Sequence, residues 1–312
     1  MIGRCRVCGN RGYVFVPWTN TWFCREHYIQ YFNKKIRRVL EKYVPLNQHK
    51  RVLIAVSGGK DSISMLYASK PVFEEYGIET RVLFIDLGIK EYSELAKSIV
   101  REHSKNLGLN LVTIELKKYG FTIDDIGRLV SKGELKRPVC SICGMVKRYL
   151  YNKAALETGS DLIATGHNID DSIGFSMIAI SQSSLLELSK QRPYLPRIGD
   201  LVARVKPLFY TYEKEAKWYI DALGLKILEA TCPYKPLRKN LILDIRSLFN
   251  KLDSMHPGYK IGFTHGISDH IAPIIDKAIE KPGLVKCSIC GQPSTSDPCG
   301  FCRLRRKILK PI

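Results

Sequence analysis

No stretch of this chain approaches the ~20 consecutive apolar residues that a membrane-spanning helix needs. Its first residues, Met-Ile-Gly-Arg-Cys, lack the apolar core of a signal peptide. A cytoplasmic protein with no membrane association is therefore expected. Internal repeats and low-complexity runs are also missing, which excludes solenoid and fibrous architectures. Acidic residues are scarce: 30 Asp and Glu stand against 49 Lys and Arg, a net charge of +19 over 312 residues. That excess favours a polyanionic partner, nucleic acid first. The rest of the composition, 45% hydrophobic and 25% charged, suits a globular chain with one large core and appendages.

Cysteine, by contrast, is abundant, with ten residues. In a reducing compartment, C-x-x-C pairs read as metal ligands rather than disulfides. Cys5-x-x-Cys8 with Cys24-x-x-His27 offers four ligands in two pairs, the donor set of tetrahedral zinc, and Gly9 and Arg11 fit a zinc knuckle. Cys287-x-x-Cys290 and Cys299-x-x-Cys302 bracket a short loop rich in Pro, Ser and Asp and form a second zinc site. The basic run Arg303-Leu304-Arg305-Arg306-Lys307 follows it. A second basic cluster, Lys34, Lys35, Arg37 and Arg38, lies in a helical pattern over residues 28–42, as a phosphate contact or as a solvated face.

Between the fingers, residues 52–56 form a β-branched apolar run typical of a strand buried on both faces. Helical patterns at 63–76, 91–107, 144–158 and 212–223 alternate with strand patterns at 80–86, 111–116 and 161–164, and a further helix is expected over 237–252. The alternation predicts a doubly wound α/β fold with a parallel sheet. The expected domains are a finger over 1–30, a catalytic body over 31–283 and a finger with its basic tail over 284–312.

The chain has no G-x-x-x-x-G-K-[ST] loop, but Ser57-Gly58-Gly59-Lys60-Asp61-Ser62 stands between the first strand and its helix. A glycine pair there lets backbone N–H groups approach an anion, and the helix N-terminus adds unpaired donors. The loop resembles that of the PP-loop ATP pyrophosphatases, which cleave ATP between the α and β phosphates. In that superfamily, adenine lies over the first strand and the end of the second, here Ala55, Val56 and Phe84-Ile85-Asp86. Gly166-His167-Asn168-Ile169-Asp170-Asp171 resembles a second superfamily motif and follows a strand, at the carboxyl edge where open α/β sheets bind ligands. Asp171 would hold Mg²⁺ or act as a base.

Cys140, Cys143 and Cys232 remain once both fingers are closed. By themselves they read as ligands of a cluster with an open position, as a redox pair with a third nucleophile, or as bystanders. Cys140-Ser-Ile-Cys143-Gly opens a helix carrying Lys147 and Arg148, surroundings that favour thiolate. Thr231-Cys232-Pro233-Tyr234 is expected to end a short element, so that all three thiols sit where irregular backbone meets the sheet's rim, not mid-helix in a core.

The order of these motifs resembles the tRNA 2-thiouridine synthetases of the TtcA/TtuA group along nearly the whole chain, and C-S-x-C-G-x-x-K-R resembles the TtuA-like branch. The resemblance implies a tRNA sulfurtransferase holding a [4Fe–4S] cluster on Cys140, Cys143 and Cys232. It implies ATP and Mg²⁺ at Ala55, Ser57, Gly58, Gly59, Lys60, Asp61, Ser62, Ile85, Lys147, Gly166, His167 and Asp171. Lys147 and Asp171 match catalytic positions, the target would be uridine 54 of the T-loop, and two zinc ions would fill the fingers. A ubiquitin-like thiocarboxylated protein would bring the sulfur, and a homodimer is expected. Competing readings are wobble uridine 34 thiolation, another PP-loop tRNA modifier, or a non-catalytic zinc-finger RNA-binding protein with a degenerate nucleotide site. The segment after Asp171 departs from the family pattern, and Gly174 within it weakens a helix by up to ~1 kcal/mol.

Overall fold

The computed structural model describes residues 3–235 and 240–309. A short hairpin, β1 (Val14–Val16) with β2 (Thr21–Phe23), leads into the helix α1 (Arg25–Tyr43). Tyr28, Phe32, Ile36 and Leu40 recur every fourth residue and are buried in the main core. This helix crosses residue 30, so the N-terminal cysteine region and the body share one continuous element.

The body runs β3 (Arg51–Ala55), α2 (Lys60–Glu75), β4 (Glu79–Asp86), α3 (Lys90–Asn106), β5 (Asn110–Glu115), α4 (Ile123–Ser131) and α5 (Val139–Glu157). It continues through β6 (Leu162–Ala164), α6 (Ile169–Ser181), α7 (Leu185–Ser189), β7 (Tyr194–Leu195), β8 (Ala203–Val205) and α8 (Glu213–Leu223). The sheet order is β5-β4-β3-β6-β8-β7, parallel except for β7. Successive strand residues face opposite layers, as the two-residue period demands. Val52 and Ile54 join the core formed with α1, α2 and α8, whereas Leu53 packs against Ala154 and Ala155 of α5. The expected doubly wound α/β architecture is present. Because β4 and β5 build out from one side of β3 and β6 from the other, a crevice opens at the carboxyl ends of β3 and β6.

Two local expectations need correction. The helix expected from residue 144 begins at Val139, behind Pro138, so Cys140 and Cys143 lie in its first two turns, at the helix opening that the motif predicts. No regular element precedes Cys232; residues 225–232 are irregular. The later helix is α9 (Leu241–Met255), begun by the Asn240 side chain, which accepts from the Ile242 N–H at 2.9 Å. The expected start at residue 237 lies outside the described residues. A Cβ on Gly174 would stand 3.0 Å from Ile242, so this glycine lets α9 approach α6 closely.

The chain then forms α10 (Tyr259–His265), a π-helical turn (Gly266–Ile271), α11 (Ala272–Ala278), the hairpin of β9 (Val285–Lys286) and β10 (Pro293–Ser294), and α12 (Gly300–Leu309). Among the described residues no helix is long and apolar enough to cross a membrane.

Candidate active site

The 57–62 loop occupies the crevice between β3 and α2. Gly58 has φ +85°, the left-handed region that a side chain disfavours, and its carbonyl accepts from the Leu228 N–H at 2.9 Å. Ser62 braces the turn: its hydroxyl donates to the Gly59 carbonyl at 2.9 Å and accepts from the Ser57 N–H at 3.1 Å. No side chain caps α2 at Gly59, so its first amides are free to face an anion. Lys60 is engaged by two carboxylates, Asp61 at 3.1 Å and Glu213 at 2.7 Å.

The 166–171 motif closes the other side. A Cβ on Gly166 would lie 3.3 Å from the Ser62 nitrogen, which shows how tightly the two loops abut. Asn168 caps α6 by accepting from the Asp170 and Asp171 N–H groups, and its side-chain amide donates to Asp61 at 3.3 Å. Asp171 completes a capping box, accepting from the Asn168 N–H at 3.1 Å, and forms an ion pair with Arg246 of α9. Asp170 is buried, paired with Lys260 and accepting from the Glu213 N–H at 3.1 Å. His167 turns an exposed ring into the crevice and meets the Thr165 hydroxyl at 3.0 Å. Surrounding protein mass disfavours its imidazolium; Lys206, Lys147 and Arg148 push the same way against Asp171, so His167 stays neutral near pH 7. Burial and the Asp171 charge raise the Asp61 pKa against the pull of Lys60.

Beneath the loop lies a small pocket. Of the expected nucleotide residues, Ala55, Ser57, Ile85 and Lys147 line it, as do Val56 and Phe84. Gly58 to Ser62, Gly166, His167 and Asp171 lie outside that lining, around the adjoining loops. Tyr92 and Tyr151 also line it and went unnoticed in the sequence. Tyr151 had a signal, since it follows Lys147 by one helical turn; Tyr92 had none. Also missed were Glu213, Arg246 and Lys206. Lys206 follows β8 and has its ammonium depressed to about 8, chiefly by burial and further by Arg204, with Asp171 opposing.

Cys140, Cys143 and Cys232 lie near enough to feel one another's charge and that of Lys147. Cys143 and Cys232 pack into the apolar cluster that also holds Tyr92 and Ile142. Burial raises the Cys140 and Cys143 thiols, while Lys147 favours their thiolates. Burial likewise opposes the Lys147 ammonium, but Cys143, Tyr151, Tyr92 and Cys232 hold it raised. The three sulfurs do not all fall within 4.8 Å of one another, the packing seen in both fingers. Three thiols with no fourth protein ligand among the described residues fit an iron–sulfur cluster by donor chemistry. Tyr234 anchors the Cys232 segment: its carbonyl accepts from the Cys140 thiol at 3.1 Å and its hydroxyl donates to Asp124 at 2.7 Å. The ring sits where a Cβ on Gly127 would come within 2.3 Å.

The fingers repeat one device. Cys5, Cys8, Cys24 and His27 form one ligand set and Cys287, Cys290, Cys299 and Cys302 another. In each, the first cysteine carbonyl accepts at 2.8 Å from the N–H of the glycine after the second, Gly9 or Gly291. Burial opposes the thiolates of Cys5 and Cys287, yet converging backbone N–H groups bring both down to about 6. Both sets fit zinc by donor chemistry. The C-terminal finger packs on α5, with Phe301 stacked on Tyr149 at 3.8 Å.

Comparison with known proteins places this geometry. The PP-loop domain family matches residues 29–229. A tRNA-5-methyluridine(54) 2-sulfurtransferase of Pyrococcus horikoshii is 34% identical over 96% of this chain and 93% of its own. The protein of the same name from Thermus thermophilus is 35% identical over 96% and 90%. Among solved structures, the U34-tRNA thiolase NcsA from Methanococcus maripaludis with its [4Fe-4S] cluster matches with a TM-score of 0.80 and 26% identity, covering 100% of this chain and 98% of that one. The chain belongs to the PP-loop family and, within it, to the tRNA 2-sulfurtransferases.

Proposed function

We propose that this enzyme uses ATP to replace the C2 oxygen of a tRNA uridine with sulfur. The observation that carries the reading is the shared wall: Lys147 and Tyr92 line the nucleotide pocket and stand beside the cysteine trio. Activation and sulfur delivery can then act on one carbon.

Adenine would occupy the pocket over Ala55, Val56, Phe84 and Ile85, and the β and γ phosphates would sit on the 57–62 loop, with Lys60 turning from its carboxylates to phosphate. The uridine C2 oxygen attacks the α phosphorus and pyrophosphate leaves. A carbonyl oxygen is a poor leaving group; as part of AMP it departs when sulfur adds at C2. Lys147 offsets the charge that develops on phosphate and oxygen. His167, neutral, can donate one hydrogen bond without adding charge to the crevice. Mg²⁺ would sit by Asp61, whose raised proton affinity a divalent cation would relieve; Asp171, already holding Asn168 and Arg246, serves first to fix that edge. Cys140, Cys143 and Cys232 would hold a [4Fe–4S] cluster, which when bound would present donor-derived sulfur to the activated carbon. Two zinc ions would fill the fingers.

The names of the relatives at 34% and 35% identity favour position 54. A thiocarboxylated ubiquitin-like protein as sulfur donor, a homodimer and a cytoplasmic location complete the reading. Nucleoside mass spectrometry of tRNA from cells lacking the protein tests it: a 2-thio nucleoside should vanish from position 54. Loss at position 34 would move the enzyme to the wobble branch, and an unchanged nucleoside profile would refute the activity.

A further inference from the structure

The basic residues of this protein differ in what they are doing. In α1, Lys35 is committed to the buried Glu215 at 2.6 Å, and Arg37 holds Glu41 and Glu75. An open groove between α12 and the start of α5 behaves otherwise. Lys136 and Arg137 stand on one bank and Arg303 and Lys307 on the other, all exposed. Among the described residues none of these four pairs with a carboxylate; Arg137 meets only the Ser141 hydroxyl, and Arg303 the Ser296 hydroxyl and the Pro298 carbonyl. The single acid of the lining is Glu134. The floor is apolar, made of Leu135, Ile142, Met145 and Leu304.

We infer that this groove holds a strand of the RNA substrate by its phosphates. Cations on opposite banks suit a chain with a charge on every unit better than a lone anion, and an apolar floor suits ribose and base faces. The position also matters. Ile142 and Met145 flank Cys143, and Arg137 precedes Cys140 by three residues. RNA in this groove therefore lies along the turns of α5 that carry the sulfur-site thiols. The inference rests on the tRNA reading above and gives it a place, with the C-terminal finger as one bank.

The test uses the full-length, metal-replete protein and unmodified tRNA in filter binding across a salt series. Lys136→Ala with Lys307→Ala should weaken binding about tenfold at ~0.1 M salt and flatten the slope of log affinity against log salt by roughly 1.5, since each phosphate contact contributes about 0.7–0.9. Lys136→Arg with Lys307→Arg should bind like the wild type, and so should Arg37→Ala. Both lysines are exposed, and an unchanged melting temperature would establish folding. Unchanged affinity and slope in the double alanine variant overturn the inference. So does a variant that keeps its tRNA affinity but no longer accepts sulfur from a protein donor, which would assign the groove to a protein tail. Wild-type protein that binds ATP but no tRNA would instead sink the functional reading itself.

Discussion

Single residues here carry duties that a motif does not reveal. The 166–171 motif reads as metal-binding or acid–base chemistry, yet Asn168 and Asp171 form a helix cap that also reaches the ATP loop through Asp61. A capping box and a catalytic motif share the spacing of an acid three residues after a small polar residue, so composition alone does not separate them. Tyr234 is the opposite case, a residue the motif contained without a role. Its hydroxyl bond to Asp124 holds the Cys232 segment against α4 while the ring fills the space over Gly127. Tyr234→Phe keeps the ring and loses the bond. Reconstituted Tyr234→Phe should release iron to a chelator several-fold faster than wild type with little change in melting temperature, and Asp124→Asn, which keeps an acceptor, should stay close to wild type. Iron release at the wild-type rate in Tyr234→Phe would remove the anchoring role.

Elements were legible where periodicity is strong. The strand at 162–164 and the helices beginning α2 and α3 fall within a few residues of expectation, because a buried parallel strand and an amphipathic helix each impose their own spacing. Gly174 has a second side: helix propensity counts it as a weakness, and its close approach to Ile242 comes from the distant helix α9, beyond any local window. The π-helical turn was equally invisible. It presents Asp269 to the hydroxyls of Tyr43, Tyr210 and Ser268 at 2.8–2.9 Å and to Lys42 at 3.0 Å, tying the C-terminal helices to α1. Burial disfavours the Asp269 carboxylate, but these donors outweigh it and hold its pKa well below the usual range. A depressed pKa contributes stability above the unfolded-state value near ~3.9, and that contribution fades as pH falls below it. Asp269→Asn should therefore cost about 1–2 kcal/mol at pH 7, and its deficit in denaturant melts should narrow toward pH 3. A deficit that is constant with pH would show that charge is not the cause.

For the whole molecule, the sequence indicated the two fingers, the ATP loop and the third cysteine set, because each is a short pattern with fixed spacing. It did not indicate how they join. α1 runs from one finger into the core, and the other finger seals the apolar cluster beneath the cysteine trio through Phe301, Leu304 and Cys287. The fingers are parts of the body's packing rather than tethered modules. Cys287→Ser should therefore lower zinc content by metal analysis, lower the melting temperature and reduce iron retention together. Loss of zinc with both other readouts unmoved would mean that the finger is independent of the site.

Lys60 spans two of these parts. Its ammonium lies 2.7 Å from Glu213, the first residue of α8, whose Glu215 holds Lys35. Any phosphate reaching Lys60 meets a tethered rival of the same charge sign. Pyrophosphate formed there would still have that rival within reach, and its return would favour departure of the product. On that reading Glu213→Gln would tighten nucleotide binding and slow turnover, an effect of one carboxylate outside both nucleotide motifs.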